Sequence, residues 1–233
     1  MPGRLTIYED KNFKNDLLNI FGNFEDTIQV LHKKYNIAPT IPIPIFTNTL
    51  QYTYAHFGLI PSWAKGRESM NINARSESIF EKASFKEAYR QRRCLIPVNG
   101  YYEWIKDETT KKSIPYLISN KEKNYFSFAG VYEYWYDNTT KENVLSTALI
   151  TTEPNEKIKT IHDRMPVILN QKDWAKWLDT RTSFNELNKL FTPCSSEFID
   201  ILEVGESVNS VRNDSIQCLE KSNRVSMSQG SLF

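Results

Sequence analysis

The chain has 233 residues, 40% hydrophobic and 13% aromatic, which is enough to bury a sizeable core and is not the composition of a disordered polymer. Lys plus Arg number 29 against 28 Asp plus Glu, so a net charge of +1 excludes bulk basicity as a reason to hold a polyanion; a local patch is required. Cys94, Cys194 and Cys218 are scattered, odd in number and never in a Cys-x-x-Cys pair, which argues against a disulfide framework or a zinc site. No metal and no cofactor is expected, and a reducing cytoplasm fits best. No apolar run approaches the roughly 20 residues of a membrane span, and the N-terminus lacks the basic-then-apolar layout of a secretory leader. An intracellular protein with no membrane partner is expected.

In chain order, a strand over Arg4–Tyr8 is followed by Phe13, Leu17, Ile20 and Phe21 at helical spacing, stopped at Gly22. The segment from Asn36 to Ile45 carries three prolines, each lacking a backbone donor, and is predicted to be extended at a sheet edge or outside the sheet. Leu50 to Phe57 alternates as a strand, and Gly58-Leu59-Ile60-Pro61-Ser62-Trp63 turns out of it. Ser76 to Gln91 reads as a helix packing through Phe80, Ala83, Phe85 and Ala88, with Asn73 and Arg75 in the loop before it.

From Cys94 onward β-type runs follow one another: 94–98, 101–106, 114–119, 125–134 and 144–151, separated by polar turns that suggest antiparallel hairpins. A helix is expected from Glu153-Pro154 to just before His162. Gln171–Asp179 is helical with Trp174, Trp177 and Leu178 inward, and Ser183-Phe184-Asn185-Glu186 has capping-box form. No linker rich in Gly, Ser or Pro divides the chain, so one domain over 1–220 is expected, with a mobile tail over 221–233.

Four places have the chemistry of a site. Removal of Met1 from Met1-Pro2-Gly3-Arg4 would expose the Pro2 amine, a nucleophile when unprotonated. His162 lies in His162-Asp163-Arg164-Met165-Pro166 at a helix-to-strand junction, where an imidazole is both reachable and oriented; such a triplet also makes an ordinary hydrogen-bonded corner. Glu103, among Tyr101, Tyr102 and Trp104, either faces solvent or is desolvated into a general acid. Asn73 and Arg75 pair an amide with a guanidinium two residues apart, suited to phosphate or sugar oxygens. A basic, stacking surface for single-stranded nucleic acid could be assembled from Arg4, Lys65, Arg67, Arg90, Arg92, Arg93 and Arg164 with Trp63 and Tyr101; solvated charge is the competing explanation.

Together these segments resemble the SRAP family, the SOS-response-associated peptidases or abasic-site processing proteins. The resemblance runs in order through Gly3-Arg4, Tyr35–Thr40, Gly58–Ala64, Asn73-Ala74-Arg75-Ser76-Glu77, Gly100–Trp104, Ala129-Gly130 and His162–Pro166, over residues 3 to about 211. It implies an α+β single domain whose mixed and antiparallel sheets curl into a pseudo-barrel with peripheral helices. It also implies recognition of abasic sites in single-stranded DNA, with the family's asparagine, glutamate and histidine on Asn73, Glu103 and His162. The arginines that correspond to DNA-backbone contacts would include Arg4 and Arg75, and Trp63 and Arg164 of the basic, stacking surface are the further expected DNA contacts.

At one position the chain departs from the family pattern. Members ordinarily begin Met-Cys-Gly-Arg and close a durable thiazolidine through the cysteine amine and thiol; here the residue is Pro2, which has no thiol. A reversible Pro2 iminium with a lyase outcome is the expected replacement. A non-catalytic shield of abasic DNA and an autoprocessing peptidase are the alternatives. Gln229-Gly230-Ser231-Leu232-Phe233 resembles a bacterial sliding-clamp-binding pentapeptide, with Leu232 and Phe233 filling an apolar pocket and Gln229 making polar contacts. The clamp would place the protein at the replisome, nucleoid-associated in a bacterium.

Overall fold

The computed structural model describes residues 2–223, and its strands pair in a ring. In chain order the elements are β1 (Leu5–Ile7), α1 (Lys11–Phe21), β2 (Glu25–Asp26), β3 (Lys34–Ile37), β4 (Pro42–Thr47), β5 (Gln51–Phe57), β6 (Asn73–Arg75), α2 (Lys86–Gln91), β7 (Arg93–Val98) and β8 (Gly100–Lys106). They continue with β9 (Ser113–Asn120), β10 (Phe126–Asp137), β11 (Glu142–Thr152), β12 (Met165–Pro166), α3 (Gln171–Leu178), α4 (Phe184–Asn188) and β13 (Ile199–Glu203). Strands β5, β4, β7, β10 and β11 are neighbours in that order, and parallel pairing of Ser146 with His56 and Thr147 with Phe57 joins β11 back to β5. The expected pseudo-barrel is therefore a closed five-stranded ring, which leaves those strands no free edge. Strands β2, β6 and β12 add outside it, and β13-β9-β8-β1-β3 form a second, antiparallel sheet.

The two long hairpins turn through nearly the same five residues, Asp107-Glu108-Thr109-Thr110-Lys111 and Asp137-Asn138-Thr139-Thr140-Lys141. In each, the aspartate Oδ1 accepts from the amides two and three residues on, and the lysine closes the turn with positive φ, 59° at Lys111 and 61° at Lys141. Local side-chain bonding thus fixes the turns that set the register of β8–β9 and β10–β11.

Strand alternation sorts the core. In β7, Cys94, Ile96 and Val98 point into one cluster with Ile43, Phe57, Phe128 and Leu149, while Leu95 joins the opposite face. That opposite face, with Phe46, Ala129 and Val131, is covered by Phe13 and Leu17 of α1 and by Trp174 and Trp177 of α3. Leu5, Tyr101 and Ile118 of the second sheet share the Ile43 cluster, so the barrel and that sheet have one continuous interior.

Several sequence expectations are corrected. The proline-bearing strand is not at the edge of its sheet: β4 lies between β5 and β7. Only Phe46 and Thr47 pair with β7, however, whereas Pro42 and Pro44 face β5 alone, so the missing donors fall where no second ladder asks for them. The helix expected over Ser76–Gln91 contracts to the six residues of α2; before it, bonds such as Glu81 N to Ser78 O and Phe85 N to Lys82 O wind the chain through successive turns. The helix expected after Pro154 is one 3-10 turn, Ile158–Thr160. Asn73 and Arg75 lie in a strand, not a loop. The α3 and capping-box readings agree with the structure: Trp174, Trp177 and Leu178 are buried, and Ser183 and Glu186 cap α4 reciprocally.

Candidate active site at the amino terminus

The end of β11 organises the site. On one side, β6 pairs with it in parallel, Leu149 with Asn73 and Thr151 with Arg75; β12 pairs antiparallel, Thr151 with Pro166. The same four residues of β11 thereby bring the Asn73 segment and the His162 segment together although some 90 positions separate them. Ala74 is fully buried between Asn73 and Arg75, so those two side chains share the opposite face.

The start of the chain enters along β8. Leu5 pairs with Tyr101, and Tyr102 N donates to Arg4 O at 2.9 Å, carrying the register past the end of β1 so that Pro2 and Gly3 run beside Glu103. Pro2 is buried, and Asn73 Nδ2 donates to its carbonyl at 3.1 Å. Asn73 Oδ1 is sealed from solvent with no hydrogen-bond partner among the described residues.

Glu103 is buried, on the same face of β8 as the fully buried Tyr101. Desolvation pushes its carboxyl above the ordinary range, and the opposing pull of nearby charge does not cancel that rise. Of the two sequence alternatives for Glu103, the buried one holds.

His162 follows the 3-10 turn, its amide bonded to Ile158 O at 2.8 Å. Two groups meet its Nδ1: the Arg164 amide at 3.0 Å and Asp163 Oδ1 at 2.7 Å. An amide N–H requires a lone pair on Nδ1, whereas a carboxylate requires a proton there. The Arg164 amide is fixed in the backbone and Asp163 is 83% exposed, so the amide is the contact that orients the ring.

Arg164 forms a two-pronged ion pair with Glu77, Nη1 to Oε1 at 2.5 Å and Nη2 to Oε2 at 3.0 Å, and donates to Thr151 O at 2.6 Å. Glu77, part of the matched segment Asn73–Glu77, has no role in the sequence reading; only the fold reveals its partner. Arg75 is exposed and adds to the positive field that holds the Glu77 carboxyl below its usual range, after the Arg164 hydrogen bond itself.

The remaining expected contacts divide. Trp63 is 61% exposed on the loop that leaves β5 at Gly58 and returns through the Leu59–Asn71 bridge, two residues before Asn73. Gly58 turns that corner at φ +126°, a conformation that side chains resist. Arg4 is engaged inside the protein: Nη1 donates to Asn36 Oδ1 at 2.6 Å and Val208 O at 2.9 Å, and the guanidinium lies over Trp104. Two members of the imagined basic surface are ruled out by burial. Arg93 is 1% exposed with its donors on the carbonyls of Trp177, Tyr89, Arg90 and Asp179, and Tyr101 is packed against Phe126 and Phe128. Gln229, Leu232 and Phe233 lie outside the described residues.

Fold and site together define an α+β barrel protein whose first residues lie against the Asn73 amide and run beside a buried acid, Glu103. The chain belongs to the SRAP family, SOS response associated peptidase, whose model matches residues 1–211. It is 37% identical over 219 residues to the abasic site processing protein YoqW of Bacillus subtilis, covering 86% of this chain and 96% of that one. To the abasic site processing protein HMCES of Rattus norvegicus it is 28% identical over 228 residues, covering 79% and 64%. A solved structure from Bacteroides thetaiotaomicron superposes with a TM-score of 0.81 at 29% identity, covering 94% of this chain and 99% of that one.

Proposed function

We propose that this protein processes abasic sites in single-stranded DNA through the amine of Pro2, freed by removal of Met1. The relatives at 37% and 28% identity are named abasic site processing proteins, and the observation that carries the reading is the placement of Pro2 against Asn73 beside Glu103. The ring-opened abasic sugar presents an aldehyde at C1′. The Pro2 nitrogen attacks that carbon, and Glu103, whose burial keeps its proton to higher pH than an exposed carboxyl, supplies the proton with which the oxygen leaves as water. A secondary amine then gives an iminium with no second proton to lose, so its positive charge persists.

The charge acidifies C2′–H. His162 takes that proton, and the electron pair expels the 3′ phosphate by β-elimination; hydrolysis of the iminium returns the amine. Asn73 holds the Pro2 carbonyl and so aims the nitrogen. Arg75 and Arg164 offer charge to the DNA backbone and the exposed Trp63 offers a stacking face. A complex without chemistry is the second reading, favoured by one observation: Pro2 lacks the thiol on which a durable thiazolidine depends.

Borohydride trapping tests the proposal. The Met-free protein should give a covalent adduct with abasic single-stranded DNA, and residues added ahead of Pro2 should abolish it. No adduct, with strand and affinity intact, assigns the shield reading; undiminished trapping by the extended protein removes Pro2 as nucleophile. We further propose that the last five residues bind the replication sliding clamp, for which their deletion should abolish clamp capture; capture that survives refutes it.

A further inference from the structure

The fork of Arg164 is already filled. A guanidinium has five N–H donors. One on Nη1 and one on Nη2 go to the two oxygens of Glu77, the other on Nη2 goes to Thr151 O, and Nε is sealed from solvent with no hydrogen-bond partner among the described residues. One N–H, the second on Nη1, is left for a ligand. Two-pronged contact with a phosphate therefore cannot be added to this arrangement; it must replace part of it.

The part that can leave is Glu77. Its carboxylate presents two oxygens to the guanidinium as a phosphate would, and its side chain is 56% exposed while that of Arg164 is only 12% exposed. Thr151, by contrast, is fixed in β11 between β6 and β12. Arg75, on β6, adds its positive charge to the field at the same carboxylate. A backbone phosphate arriving at this corner would meet two arginines and one competing acid.

We propose that Glu77 is a built-in phosphate mimic, an affinity-setting residue that occupies Arg164 in the free protein and is displaced by the backbone of bound single-stranded DNA. The inference rests on the reading of Arg164 as a phosphate contact. Displacement leaves Glu77 as an unpaired anion beside the strand, which lowers affinity and makes it less dependent on counterion release. Glu77 thus weakens general binding to nucleic acid and increases the relative contribution of the abasic sugar at Pro2 to selectivity.

Fluorescence anisotropy on labelled single strands, with and without one abasic site and over a salt series, tests this. The competing carboxylate lies on the exposed side of the pair, where charge interactions are weak, so Glu77→Gln should tighten binding by about 2- to 5-fold, and the slope of log K against log salt should steepen by about 0.7 to 1. Glu77→Ala should do the same, and Arg164→Ala in the Glu77→Gln background should erase the gain. Unchanged or weaker binding by both Glu77 variants overturns the proposal and makes Glu77 a support for Arg164. The functional reading fails differently, by equal affinity of the wild type for abasic and intact strands, and the effect of Glu77 on intact strands is readable in either case.

Discussion

Replacing Asn73 with alanine separates positioning from stability. The side chain makes one neutral hydrogen bond to Pro2 O at 3.1 Å, and such a bond contributes about 0.5–1.5 kcal/mol. Its Oδ1 is sealed with no partner among the described residues, and removing an unsatisfied buried acceptor returns a comparable amount, about 1–3 kcal/mol. The two terms oppose, so urea denaturation of Asn73→Ala should give a stability within about 1 kcal/mol of wild type. The effect on the reaction has no such compensation. Without the anchor the Pro2 nitrogen is free to shift, and a displacement of about 1 Å at a reacting atom costs on the order of 100-fold in rate. Single-turnover trapping on abasic single-stranded DNA should therefore slow by about 10- to 100-fold. Trapping within twofold of wild type would refute the assignment of Asn73 as the anchor, as would a loss of rate matched by a loss of folded protein.

Arg93→Met should cost at least about 4 kcal/mol in denaturant unfolding, since four backbone carbonyls lose a charged donor inside the protein, each bond worth about 1.5–3 kcal/mol before the new apolar contacts are counted. A loss under about 1 kcal/mol would return Arg93 to the surface role its sequence neighbours suggest. For Glu103 the sign follows from burial. A folded carboxyl raised above its unfolded value contributes stability below the unfolded pKa and loses it as pH rises through the folded one. Glu103→Gln should therefore match wild type near pH 4 and become the more stable protein as pH rises, while its trapping rate falls. Parallel stability curves across that range would show that Glu103 is not desolvated.

Much of the machinery is local and was legible. The helix at Gln171–Leu178, the capping box at Ser183 and the hairpin turns at Asp107 and Asp137 are set by residues within one or two turns of each other. The order of the motifs from Gly3-Arg4 to His162–Pro166 marks Asn73, Glu103 and His162 as the expected site, and the fold brings the Asn73 and His162 segments together on β11. Expected helices shortened where turn-forming bonds won over propensity, between Ser76 and Phe85 and between Glu153 and His162.

Contacts that join distant segments are where sequence reading stopped. Period-two alternation says that Glu103 and Tyr101 share a face, but not that the face is inward; the barrel and the second sheet decide that by sharing one interior. Charge identifies Arg4, Arg93 and Arg164 as cations, but the fold alone assigns Arg4 to Asn36 and Val208, Arg93 to four carbonyls and Arg164 to Glu77. The sequence by itself determined which groups are available to react, because pKa, nucleophilicity and turn preference belong to residues and their near neighbours. Which segments meet was decided by the pairing of β11 with β6 and β12 and of β1 with β8, since only strand pairing over long separations brings the Asn73 and His162 segments to one end of β11 and runs the first residues beside Glu103.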